Sequence, residues 1–138
     1  MIEFNYENDF KLENESRISQ WISSCIESYE FTEGEINYIF CDDAYLLKLN
    51  IEFLEHDTLT DIISFDYTLG KLISGDIFIS VERVKENAQK FSQSFENELN
   101  RVIIHGILHY IGFKDKLDKD KREMRVEEEK CLDLLKSL

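Results

Sequence analysis

The chain has 138 residues, 43% of them hydrophobic and 12% aromatic, which supplies one folded core and not two. Sixteen basic against 29 acidic residues give a formal charge of −13, which argues against a protein that simply coats nucleic acid, because that affinity comes from Lys and Arg neutralising phosphates. No run of about 18 apolar residues exists, the first residues lack a secretory pattern, and Cys25, Cys41 and Cys131 form neither a disulfide framework nor a zinc ribbon, so we expect a cytoplasmic protein with reduced thiols.

Residues 1 to about 12 alternate loosely and read as one or two short strands. Residues 16–30 place Ile18, Trp21, Ile22, Cys25, Ile26 and Tyr29 on one helical face, with Ser16 as the expected cap. Gly34 reads as a stop and turn before a strand over 35–41. Asp42 or Asp43 then caps a helix carrying Leu46, Leu47, Leu49, Asn50 and Phe53. Strands over 62–67 and 75–80, with Gly70 between them, suit an antiparallel pair. Ser80 caps a third helix with the stripe Val81, Val84, Ala88 and Phe91. A fourth helix starts near Ser94 and is almost free of charge from Arg101 to Ile111, so it should be buried nearly all round. Residues 118–136 form a last helix with Met124, Cys131, Leu132 and Leu135 on one face. The order suggests an α+β fold, a small mixed β-sheet packed with about five helices, in one domain over 1–138. Charge is uneven along the chain: residues 1–60 hold 3 basic and 14 acidic side chains, residues 61–138 hold 13 and 15. A polyanion would therefore meet the second half.

The chemistry concentrates in residues 105–115. His105 and His109 are four apart on a helix and stand one turn apart on the same face, which lets two imidazoles reach one divalent cation. Gly112 is a natural left-handed helix end, after which the chain can fold back and present Asp115. The pattern His-x3-His-x2-Gly-x2-Asp supplies two imidazoles, a turn and a carboxylate. Metalloproteases place Glu directly after the first histidine as general base. This chain has Gly106 there, so it lacks the peptidase base. The glycine either lets something approach the helix beside the metal or serves a packing contact.

His105-Gly106-Ile107-Leu108-His109-Tyr110-Ile111-Gly112-Phe113 resembles the signature of the YbeY family, metal-dependent endoribonucleases of bacterial ribosomal RNA maturation and ribosome quality control. Leu49-Asn50 followed by Thr60-Asp61-Ile62-Ile63-Ser64-Phe65 resembles a second block of that family, and Gly75-Asp76-Ile77 a third. The resemblance implies metal-dependent cleavage of single-stranded RNA in the cytoplasm, with ribosomal RNA and the small ribosomal subunit or assembly factors as partners and no DNA specificity. It implies one divalent cation, zinc, held by His105, His109 and Asp115. Asp61 and Ser64 would line the cleft, and Lys114, Lys116, Lys119 and Arg122 are candidates for RNA contact.

The chain departs from the family pattern at two places. Asp115 stands where the family has its third histidine, which leaves a divalent cation at net +1 rather than +2. Leu54 stands at the place of a family arginine thought to act on phosphate, and His56, two residues on, is the candidate substitute. No side chain stands out as general base. Two other readings fit the same residues: a non-catalytic ribosome-assembly module with a structural metal, and a non-haem iron enzyme, since two His and one carboxylate make a facial triad.

Overall fold

The computed structural model describes residues 1–56 and 58–138. The elements run β1 (Ile2–Tyr6), α1 (Glu15–Ser28), β2 (Thr32–Cys41), α2 (Asp43–Leu54), β3 (Ile62–Asp66), β4 (Leu72–Ser80), α3 (Val81–Lys90), α4 (Phe95–Ile111) and α5 (Asp118–Ser137). The strands form one mixed sheet in the order β1-β2-β4-β3. β1 and β4 both pair parallel to β2, and β3 pairs antiparallel to β4 with Ser64 opposite Ile77. This is the expected α+β fold: the described residues form five helices on a small mixed sheet.

Alternation along the strands divides the apolar residues between two faces. Ile36, Tyr38 and Phe40 of β2, with Ile73, Ile77 and Ile79 of β4, meet the apolar stripes of α1, α4 and α5 in the main core. Ile63, Phe65 and Phe78 point the other way and pack with Leu46 and Leu49 of α2. α4 lies against the sheet, where the Tyr38 hydroxyl donates to the Ile103 carbonyl at 2.8 Å and the Tyr110 hydroxyl to the Phe65 carbonyl at 2.9 Å. These bonds satisfy polar atoms inside an apolar layer and fix how far α4 stands from the strands.

Capping follows the sequence for three helices: Asp42 accepts from the Tyr45 amide, Ser80 from Arg83 and Ser94 from Asn97. It does not follow for α1. Ser16 sits inside the first turn, and the cap position is Asn14, in the left-handed conformation (φ 58°) with no side-chain cap bond. Gly34 does not end a turn but lies within β2, at the irregularity of register between Glu33 and Ile36. A Cβ there would come within 2.7 Å of the Ile73 carbonyl oxygen, so the close approach of β4 explains the glycine. β4 begins at Leu72 rather than at 75, β1 ends at Tyr6, and Phe91 caps α3 as a residue 54% exposed instead of joining the buried stripe.

Candidate metal centre and its cleft

Arg101, His105 and His109 recur at four-residue intervals along α4 and share one face. The helix ends at Gly112, with φ +124°. The Gly112 amide donates to the carbonyls of Leu108 and His109, and the Phe113 amide to that of Leu108. This reversal satisfies the last helical carbonyls and turns the chain back, so that Asp115 meets the two imidazoles. His105 Nε2 lies 3.0 Å from His109 Nε2, and Asp115 Oδ2 lies 3.2 Å from each. Among the described residues, these three form the group able to hold a cation. Asp118 and Asp120 lie instead in the first turn of α5.

The donor set fits a small divalent cation. Metal–ligand bonds of about 2.0–2.1 Å in tetrahedral geometry set ligand atoms roughly 3.3–3.4 Å apart, close to the observed triangle. Two imidazole nitrogens and a carboxylate oxygen thus converge on one point, a donor set that suits a divalent cation.

Behind the ligands stands a buried ionic network. Glu128 of α5 approaches His105 Nδ1 with Oε2 at 2.7 Å, while its Oε1 accepts from Arg101 Nη1 at 3.1 Å; Arg101 Nη2 donates to Glu129 at 2.6 Å. The Glu128 and Arg101 side chains are only 7% and 8% exposed. Burial pulls the His105 imidazole down, but the hydrogen bond and charge of Glu128, with Asp115 and Asp61 beyond, outweigh it and leave its pKa above the ordinary value.

The group borders a cleft of about 430 Å³ whose walls include Thr60, Asp61, Ser64, Glu98, Arg101 and Arg125. Burial raises the carboxyl pKa values of Asp61 and Glu98 above the usual range. A neighbouring depression is lined by His105, Asp115, Lys121, Arg122, Met124, Arg125 and Glu128. The structure thus brings Asp61 and Ser64 into the cleft and Arg122 to the second depression. Lys114, Lys116 and Lys119 are exposed and line neither. His56 is exposed just beyond α2 and lines neither cavity; Leu54, 44% exposed, ends that helix.

Gly106 faces the sheet. A Cβ there would meet Ile77 Cδ1 at 3.0 Å and Ile62 Cδ1 at 3.3 Å. Of the two reasons for this glycine, the structure selects close packing of α4 on β3 and β4. Sequence reasoning missed Glu128, Glu98 and the role of Arg101. One signal was present, since Glu128 falls on the helical stripe shared by Met124, Cys131, Leu132 and Leu135, where a carboxylate needs a partner.

Comparison with known proteins agrees with this geometry. The family described as Endoribonuclease YbeY matches residues 2–136. The chain is 64% identical over 129 residues to Endoribonuclease YbeY of Flavobacterium johnsoniae, covering 94% of this chain and 93% of that protein. It is 44% identical over 134 residues to the Cytophaga hutchinsonii protein of the same name, covering 96% and 94%. The solution structure of TM1509 from Thermotoga maritima superposes with a TM-score of 0.70 at 26% identity, covering 98% of this chain and 89% of that one. With a family match over nearly its whole length, this chain belongs to the YbeY endoribonuclease family.

Proposed function

We propose that the chain is a metal-dependent endoribonuclease that cuts single-stranded RNA in ribosomal RNA maturation and ribosome quality control. Its partners would be the small ribosomal subunit or assembly factors, in the cytoplasm. The observation that carries the reading is the convergence of His105, His109 and Asp115 beside an open cleft, in a chain of an endoribonuclease family. These three residues would hold one divalent cation, for which zinc fits the nitrogen-rich donor set. When bound, the cation supplies positive charge to a phosphodiester where negative charge develops.

The chain's own residues supply the rest. Lys121, Arg122 and Arg125 stand on the α5 side of the centre, at the depression it borders, where they attract phosphate. Asp61 and Ser64, from the segment around the start of β3, line the cleft that the centre borders and offer hydrogen-bonding groups to a nucleotide. Gly106, turned toward the sheet, offers no general base of the peptidase kind. Among the described residues no helix is long and apolar enough to cross a membrane.

The test is cleavage of a single-stranded RNA fragment by untagged protein, with and without chelator, beside His105→Ala. We expect about one zinc per chain, cleavage that chelation abolishes, and a folded His105→Ala protein lacking both metal and activity. Cleavage that survives chelation and His105→Ala refutes the metal-dependent reading. Bound zinc without cleavage, even after Leu54→Arg restores the family's guanidinium, favours the assembly module. Iron in place of zinc on elemental analysis favours the facial-triad enzyme.

A further inference from the structure

Glu128 is a buried carboxylate with two partners of different kinds. Its Oε1 accepts from Arg101 Nη1, and its Oε2 lies 2.7 Å from His105 Nδ1. An ionised carboxylate only accepts, and a guanidinium only donates. The neutral imidazole of His105 carries one proton, and the contact of Nδ1 to Glu128, at 2.7 Å, is shorter than the 3.2 Å from Nε2 to the competing carboxylate of Asp115, which favours the proton on Nδ1. The lone pair is then on Nε2, the atom 3.0 Å from His109 Nε2 and 3.2 Å from Asp115 Oδ2.

We propose that Glu128 is a positioning residue for His105. It holds the proton on Nδ1 so that Nε2 presents its lone pair to the metal, and Arg101 enforces this by occupying the other carboxylate oxygen. The inference rests on the metal-binding reading of His105, His109 and Asp115. Arg101 and His105 lie four apart on α4, while Glu128 lies 23 residues from His105 on α5. The C-terminal helix therefore sets the tautomer of a ligand on the helix it packs against. Outer partners of this kind orient metal-binding histidines and fix which nitrogen ligates.

The arrangement makes a specific prediction for Glu128→Gln, which keeps shape and removes charge. Glutamine offers one acceptor oxygen and one donor nitrogen. Arg101, an obligate donor, takes the oxygen, so the amide nitrogen faces His105 Nδ1. That nitrogen must then accept, the imidazole proton moves to Nε2, and the metal-facing lone pair is lost. Adding Arg101→Met removes the obligate donor, lets the amide turn its oxygen to His105, and restores the Nδ1–H form.

The experiment reads the imidazole tautomer by long-range nitrogen–proton NMR in metal-free protein, at a pH high enough to leave the ring neutral. It also measures zinc affinity by chelator competition. Wild type should show His105 as Nδ1–H. Glu128→Gln should show Nε2–H and bind zinc about 10- to 100-fold more weakly. The Arg101→Met/Glu128→Gln double variant should return to Nδ1–H and to within about threefold of wild-type affinity, a rescue that simple damage to packing would not produce. An Nε2–H tautomer in wild type overturns the proposal, as does a Glu128→Gln protein that keeps Nδ1–H and wild-type affinity. If wild type binds no zinc, the metal reading fails by itself, and the tautomer of the metal-free protein still decides the role of Glu128. If Glu128→Gln does not fold, the wild-type tautomer again decides it.

Discussion

Replacing Gly106 by glutamate completes the pattern His-Glu-x-x-His in this chain, and we expect the variant to be strongly destabilised rather than to become a peptidase. Gly106→Ala isolates the first step. Alanine gains about 1 kcal/mol of helix propensity, but its Cβ meets Ile77 Cδ1 at 3.0 Å and Ile62 Cδ1 at 3.3 Å. Overpacking of that kind costs about 1–3 kcal/mol, so the net change should be a loss of no more than about 2 kcal/mol. Glutamate adds a carboxylate pressed toward Ile77, which has no exposed surface. An unpaired charge there costs several kcal/mol more, so the total loss should be at least about 4 kcal/mol against a typical domain stability of roughly 5–15 kcal/mol. With unfolding entropy of about 2.1 cal/mol/K per residue, a chain of 138 residues loses roughly 3.4 °C of Tm per kcal/mol, hence at least about 14 °C. Thermal denaturation followed by circular dichroism measures the loss, beside a peptide-hydrolysis assay with added zinc. A Gly106→Glu protein melting within about 4 °C of wild type and cutting peptides with zinc would show that position 106 faces the metal centre, contrary to the packing argument.

Asp115→Asn keeps the shape of the proposed third ligand and drops its charge, so it should weaken zinc binding at least about 10-fold by chelator competition, whereas Asp118→Asn should stay within about threefold; equal effects would mean that Asp118 swings into the site. Away from the centre, the carboxylate of Asp43 accepts from Ser80 Oγ and Arg83 Nη2, each at 2.7 Å. Burial alone would raise its pKa, but Arg83 and Ser80 outweigh burial and hold it below the usual carboxylate range. A carboxyl whose folded pKa is depressed adds stability above its unfolded pKa of about 3.9 and loses it as pH falls through the folded value. Asp43→Asn should therefore lower stability in urea by about 1–3 kcal/mol at neutral pH, and the gap to wild type should close at an acid pH below the depressed folded value. A gap that is the same at both pH values would contradict the assigned ion pair.

What the sequence made legible was local. His105, His109, Gly112 and Asp115 lie within eleven residues, and helix pitch plus a glycine turn dictates their meeting. The same holds for the caps at Asp42, Ser80 and Ser94, where a side chain bonds an amide three residues on. Contacts between distant segments were not legible. Glu128 is bonded to His105 only because α5 packs on α4, and nothing near residue 128 names its partner. The strand limits near Gly34 and Leu72 were missed because β2 and β4 extend one another by parallel pairing across about 40 residues. The basic run from Lys114 to Arg125 lies beside the centre, and helix phase decides which of its side chains turn toward it. Arg122 and Arg125, together with Lys121, reach the depression beside His105, whereas Lys114 and Lys116 precede the helix.

The charge balance of the cleft connects these observations to the acidity of the chain. Asp61, Glu98, Asp115 and Glu128 line it against only Arg101 and Arg125, and Arg101 is already engaged by Glu128 and Glu129. Phosphate brought beside such walls without a cation meets repulsion. Two unit charges about 4 Å apart interact by roughly 4 kcal/mol at an effective dielectric constant of 20. Under the metal-dependent reading, a divalent cation between His105, His109 and Asp115 supplies the charge that the walls lack, and it does so only at the centre. The molecule as a whole, at −13, repels RNA away from the centre and the basic side chains of Lys121, Arg122 and Arg125 beside it. An arrangement of this kind binds a phosphodiester where it can be cut and little elsewhere, and it leaves recruitment to whatever holds the RNA in place.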